Sequence, residues 1–304
     1  MPQSENETTQ LNKEIKNRLP SIVLVVGFVL LFVYHFLFAP YGNKDVIIHV
    51  ASGTSINSTA LKLESEKAVR DDLTLKIFIK LLKRGRGIIS GDYLIKKNSP
   101  VWSVAWQLTR GNHNIEPIKI IIREGLNNEN IANLLADKIA SFRKDLFLTE
   151  ANNKQGYLFP DTYFFFPLDT TDEIIEKLSG NFDNRIKNLL FDIEKSGKSK
   201  ERIIIMASIL EGEAGGKEDV GMISGILWKR ISQGMPLQVD IDKSTYTTKG
   251  LPPKPLNNPG LLSINAAINP ISSPYLYYLH DKNGKVHYAV TFEEHKRNIS
   301  KYLK

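Results

Sequence analysis

The chain has 304 residues, room for roughly two domains, and its apolar (42%) and charged (24%) fractions are ordinary for a globular protein. A net charge of +7 calls for an anionic neighbour, whether membrane surface, anionic polymer or nucleic acid. With no cysteine, a disulfide framework and a thiolate-held metal are both excluded.

Residues 22–39 (IVLVVGFVLLFVYHFLFA) form an apolar run broken only by Tyr34 and His35. As a helix it would be about 27 Å long, close to the hydrocarbon thickness of a bilayer. A cleaved signal peptide would have a shorter apolar region, and no small-x-small site stands before Pro40. Lys13, Lys16 and Arg18 precede the run, and only Lys44 follows it closely. This asymmetry predicts a cytoplasmic tail (1–19), an anchor helix through the cytoplasmic membrane (20–39), and residues 40–304 outside. That placement argues against nucleic acid, and the basic KRGRG stretch (83–87) reads as a solvated loop.

A weak internal echo follows. VIIHVASGTSINSTALKL (46–63) reads as a strand, a glycine turn, polar capping residues and an amphipathic helix, and IKIIIREGLNNENIANLL (118–135) repeats that order. In each, Ala lies seven and Leu ten positions after the glycine: Gly53, Ala60, Leu63, and Gly125, Ala132, Leu135. YLIKKNSPVWSVAWQL (93–108) has the same spacing from Asn98 to Ala105 and Leu108. With a further helix at 73–83, these units predict a small α+β module.

Helical spacing continues over 170–197, 199–213 and 218–234, the first and last of which run into glycine. The chain then becomes loop-rich, because LPPKPLNNPG (251–260) carries four prolines. Residues 275–290 read as a β-hairpin turning at Asn283–Gly284, and 291–303 as a short helix capped by Thr291.

Among candidate chemistries, a serine hydrolase fails, because GMISG (221–225) has the wrong order for a nucleophile elbow and sits within a helix. The histidines show no H-E-x-x-H spacing; only His280, His287 and His295 fall near one another in sequence, and a surface or hairpin role accounts for them. No glycine-rich phosphate loop follows a strand. What stands out is ASILEGEAGG (207–216), where a strongly apolar helix ends by carrying Glu211 and Glu213. Carboxylates at a helix C-terminus are electrostatically disfavoured, so this end invites a functional reading beside that of two solvated glutamates. Two positions on a helix are about 200° apart, so the two acids point to opposite sides while the helix lasts. Small residues flank Glu211 (Ala207, Ser208), and a glutamate at the rim of an apolar cleft suits a general acid.

Seven stretches in order, GYLFPDTYFF (156–165), ASILEGEAG (207–215), GMPLQVD (234–240), KGLPPKPLNNPG (249–260), AAINP (266–270), YLYYL (275–279) and TFEEH (291–295), resemble the endolytic murein transglycosylase (YceG-like) family. The resemblance spans roughly 45–303. It implies an α+β chain: the anchor, a LysM-like module (45–124), and a transglycosylase catalytic domain (125–304) with a loop-rich C-terminal part. Its expected substrate is peptidoglycan, cut within glycan strands outside the cytoplasmic membrane. Peptidoglycan synthases or division proteins are the protein partners such a location would offer. No metal or other cofactor is implied.

On this resemblance Glu211 falls on the catalytic glutamate, and Glu213, Gln238, Asp240, Tyr246 and Asn258 fall on substrate-binding positions, where each could instead stabilise its own loop. One glutamate would protonate the oxygen between N-acetylmuramic acid and N-acetylglucosamine, then accept the proton of the muramoyl C6 hydroxyl as a 1,6-anhydro end forms. Hydrolysis would need a second carboxylate, with Asp240 better placed than Glu213. Departures from the family pattern are Gln155 for Glu, Ser244 for Asn, Lys254 for Gly, and a shortened loop after Asp240. They motivate the alternative of a non-catalytic, peptidoglycan-binding envelope or division-complex protein.

Overall fold

In the computed structural model, which describes residues 18–34, 41–82, 87–139, 141–213 and 219–303, the three echoed turns share one backbone conformation. Gly53, Asn98 and Gly125 all have positive φ, at 76°, 60° and 79°. Glycine adopts this left-handed conformation at little cost and asparagine tolerates it. The Ala and Leu that follow at fixed spacing, Ala60, Leu63, Ala105, Leu108, Ala132 and Leu135, are all fully buried. Seven and ten residues are about two and three helical turns, so both side chains face the core.

The chain divides into two compact units, up to Glu116 and from Pro117. In the first, β1 (Val46–Val50), α1 (Ile56–Ser65), α2 (Asp72–Leu82) and β2 (Gly91–Ile95) precede α3 (Val101–Arg110). β1 and β2 pair antiparallel, with Val46 opposite Ile95 and Val50 opposite Gly91. The period-two burial of Val46, Ile48 and Val50 meets Leu63, Leu75, Ile79 and Leu108 in one core. Ser55 starts α1 by accepting the Ser58 N–H, and left-handed Gly111 closes α3.

The second unit opens with the same strand–helix–helix–strand order: β3 (Ile118–Ile121), α4 (Asn128–Ala136), α5 (Lys144–Glu150) and β4 (Thr162–Phe165). β3 and β4 pair antiparallel, Ile118 opposite Phe165 and Ile121 opposite Thr162. The sequence boundary at 124/125 therefore lies beyond the division between the units, since residues 118–121 pair within the second.

α6 (Thr171–Ile186) begins with a reciprocal capping box between Thr170 and Glu173. The expected helix over 170–197 is interrupted by a 3₁₀ turn (Lys187–Leu189) before α7 (Leu190–Lys195). α6 joins two cores, giving Ile174, Ile175 and Leu178 to the one around β3 and β4, and Phe182 and Ile186 to the other. At the centre of that second core is α8 (Lys200–Glu213), in which every residue from Ile203 to Leu210 is buried. Eight consecutive buried residues cover the whole circumference, so α8 has no solvent face over two turns. It packs against α9 (Val220–Ser232) and α10 (Leu261–Ile268), which are tied together by the Trp228 indole N–H on the Ala267 carbonyl at 3.0 Å.

The hairpin is present as β5 (Tyr277–His280) and β6 (Val286–Ala289). Its loop is longer than a two-residue Asn–Gly turn: the Asp281 carboxylate accepts the N–H groups of Asn283 and Lys285, with Gly284 at positive φ. α11 (Phe292–Tyr302) closes the unit, capped by Thr291 as its sequence predicts.

Residues 18–34 are helical, and Leu19, Ile22, Phe28 and Leu31 are among the apolar side chains they expose. The rest of the expected anchor, 35–39, and nearly all of the tail, 1–17, lie outside the described residues. Among the described residues no helix is long and apolar enough to cross a membrane.

Candidate active site

The last turn of α8 is where the buried helix reaches solvent. Glu211 is half-buried there, and its Oε2 accepts the Gly260 N–H at 2.9 Å. The proline-rich segment that supplies Gly260 is fastened along α8 one turn earlier. The Leu256 N–H bonds the Ser208 hydroxyl at 3.0 Å, and the Asn257 amide donates to the Ser208 carbonyl at 2.8 Å. Ser208 itself donates to Ile205, so its hydroxyl is used on both sides. Prolines leave this segment without a regular ladder, and side-chain and main-chain bonds to α8 replace it.

Asn258 fastens the same segment to the strand–helix–helix–strand part. Its Oδ1 accepts the N–H groups of Gly156 (2.8 Å) and Leu158 (3.0 Å), and its amide donates to the Leu126 carbonyl (2.9 Å) and Asn128 Oδ1 (3.1 Å). Its backbone adds an N–H to Leu126 and a carbonyl to the Gly125 N–H. Fully buried and with its amide group engaged four times, Asn258 has nothing left to offer a sugar. In this geometry it serves as scaffold, the loop-stabilising alternative that its sequence position left open. Gln155, found where the family pattern has glutamate, acts beside it by accepting the Asn128 N–H and donating to the Pro255 carbonyl. An amide can do both, whereas an ionised carboxylate has no proton to give.

Glu213 lies on the other side of α8, as the helical angle requires. Its Oε1 accepts the Asp240 and Ile241 N–H groups at 2.7 and 3.2 Å, and its Oε2 the Tyr278 hydroxyl at 3.1 Å. It anchors the loop after Asp240 to the helix end. Within that loop Asp240 bonds Lys243 (2.6 Å) and the Tyr246 hydroxyl (2.8 Å), and these hydrogen bonds hold its carboxyl below the usual aspartate range. Tyr246 is exposed, as is Gln238, which sits at φ 52° with its N–H on the Thr245 carbonyl.

Glu211 instead faces an open cleft of roughly 530 Å³, lined also by Ile121, Ile122, Arg123, Glu124, Pro160, Asp161 and Thr162. Of the site residues expected from the sequence, only Glu211 is on this lining. Asp161 is not a free acid. Burial pushes its carboxyl up, but hydrogen bonds from Asn181, the Thr162 N–H and Arg185 outweigh that and hold it below the ordinary value. Glu124 is the acid that sequence reasoning passed over. A Cβ on Gly260 would lie 1.8 Å from Glu124 Oε1, so the Glu124 carboxylate sits directly on the glycine whose N–H holds Glu211. One signal was available. Glu124 immediately precedes the left-handed glycine of the second copy of the repeat, where the first copy has Ser52.

A model of the YceG-like family matches residues 48–242 and 244–301, interrupted at a single position in the loop after Asp240. An endolytic murein transglycosylase of Bacillus subtilis (strain 168) is 26% identical over an alignment of 310 positions, gaps included, covering 86% of each chain. A Streptococcus pneumoniae (D39) protein of the same name is 23% identical over 325, covering 86% of this chain and 59% of that one. In fold, a YceG-like protein from Listeria monocytogenes, solved by crystallography at 2.6 Å, matches with a TM-score of 0.54 at 23% identity, over 84% of this chain and 99% of that one. The family match runs through both units and through Glu211, and the chain belongs to the YceG-like family.

Proposed function

We propose that this protein is a membrane-anchored lytic transglycosylase that cuts peptidoglycan within its glycan strands, with Glu211 as the general acid. The observation that carries the reading is one half-buried glutamate, fixed by a main-chain N–H just past the enclosed turns of a helix and open to a cleft. A general acid must be held within hydrogen-bond reach of the leaving oxygen, and a rigid helix end supplies that position. The relatives' printed names and the family match support the choice of substrate. Glu211 would protonate the oxygen between N-acetylmuramic acid and N-acetylglucosamine, and the muramoyl C6 oxygen would close on the anomeric carbon to leave a 1,6-anhydro end. The first unit would serve as a LysM-like glycan-binding module, and the apolar stretch 20–39 would place both units outside the cytoplasmic membrane.

The test is mass spectrometry of products from purified glycan strands. The wild type should release fragments with 1,6-anhydro ends, one water lighter than hydrolysis products. Glu211→Gln should lower the rate by about 10²–10⁴-fold or more with the melting temperature nearly unchanged. Binding without cleavage by the wild type would favour a non-catalytic envelope protein, and reducing ends would make it a hydrolase.

A further inference from the structure

Glu124 and Glu211 come from elements 87 positions apart in sequence, yet both carboxylates rest on Gly260. Glu211 Oε2 is 2.9 Å from the Gly260 nitrogen, and Glu124 Oε1 lies where a Cβ of residue 260 would be crowded to 1.8 Å. Standard bond lengths then keep the two carboxylates within about 8 Å of each other. Gly260 has an ordinary negative φ of −81°, so the requirement for glycine is one of space: any side chain there would displace Glu124. Both acids line the same cleft. The other charged groups on that lining are Arg123, on the same turn as Glu124, and Asp161, which Arg185 and Asn181 hold.

We infer that Glu124 is the second catalytic carboxylate of this cleft and receives the proton of the muramoyl C6 hydroxyl. The inference rests on the transglycosylase reading and divides its proton transfers between two groups. Glu211 gives its proton to the glycosidic oxygen as the C1–O bond breaks. The C6 oxygen of the same muramoyl residue forms the new C1–O bond, and its proton passes to the Glu124 carboxylate. One carboxyl loses a proton and the other gains one, no water is consumed, and exchange with solvent resets the pair. Separate groups can face the leaving oxygen and the attacking hydroxyl, which a single carboxylate must serve in turn.

The test is Glu124→Gln in the full-length protein, with purified glycan strands as substrate. Glutamine keeps the shape and packing against Gly260 but cannot accept the proton. Expected are a loss of about 10²–10⁴-fold in kcat, unchanged binding of strands and melting temperature, and disappearance of the acid limb of the kcat–pH profile. A role in packing alone would leave that limb in place. Should the glutamine variant fail to fold, Glu124→Ala with added formate replaces it. Formate restoring anhydro products supports the assignment, and a rate indifferent to formate overturns it. Wild-type kcat and pH profile in Glu124→Gln would also overturn it, while anhydro products from the wild type would leave the transglycosylase reading standing. Reducing ends, or no cleavage, from the wild type would sink that reading and this assignment together.

Discussion

Asn258 and Glu211 are two ends of one hydrogen-bonded chain that runs through the LNNPG segment. Asn258 satisfies two N–H groups, a carbonyl and an amide oxygen that burial would otherwise leave without partners. Its replacement by alanine should cost roughly 2–4 kcal/mol of stability, read by denaturant titration. Any loss of cleavage should then follow the loss of folded protein. A sugar ligand would behave in the opposite way, with KM rising at unchanged stability. The site was legible in part for this reason. Glu211 stands out locally, as a charge where an apolar run stops. Asn258 and Glu124 take their roles from partners that the fold brings from afar, about 130 residues away in the bonds of Asn258 to Leu126 and Asn128.

Among the elements, those with strong local signals formed where expected. α11 is an example, since Thr291 and Glu294 cap it reciprocally and no distant contact is needed to start it. The Glu294 carboxylate accepts the N–H groups of Val290 and Thr291, and these bonds hold it below the ordinary value of 4.5. A depressed carboxylate stabilises the fold above its unfolded value and loses that contribution as the pH falls through its lower folded value. In thermal melts, the gap between wild type and Glu294→Gln should hold steady above about pH 5 and close on acidification. A gap that widened in acid would contradict the capping role. The break between α6 and α7 had no such signal. Lys187, Asn188 and Leu189 contain neither glycine nor proline, and of the three only Leu189 packs against the core.

On the scale of the whole molecule, the repeated spacing of Gly, Ala and Leu marked strand–turn–helix units of one small module, but neither the second strand–helix–helix–strand part nor the unit to which it belongs. That assignment is made by pairing between β3 and β4, across about forty residues, which no local pattern records. The cleft follows the pairing, because the turn after β3 carries Glu124 and the start of β4 carries Thr162, both on its lining. The proposed anchor is tested at this scale as well. Full-length protein should stay in the membrane fraction after a carbonate wash, and external protease should degrade residues 40–304. A soluble mature chain beginning near Pro40 would contradict it.

The absence of a solvent face over two turns of α8 bears on the timing of the reaction. The enclosed stretch 203–210 cannot fray or swing without opening the core around it, so the platform that carries Glu211 is set when the chain folds, and the Gly260 N–H then fixes the carboxylate upon it. An arriving strand would find the proposed proton donor already in place, and little ordering entropy would be lost at the helix end on binding. The contacts made by sugars farther along the strand would then be free to distort the ring at the scissile bond.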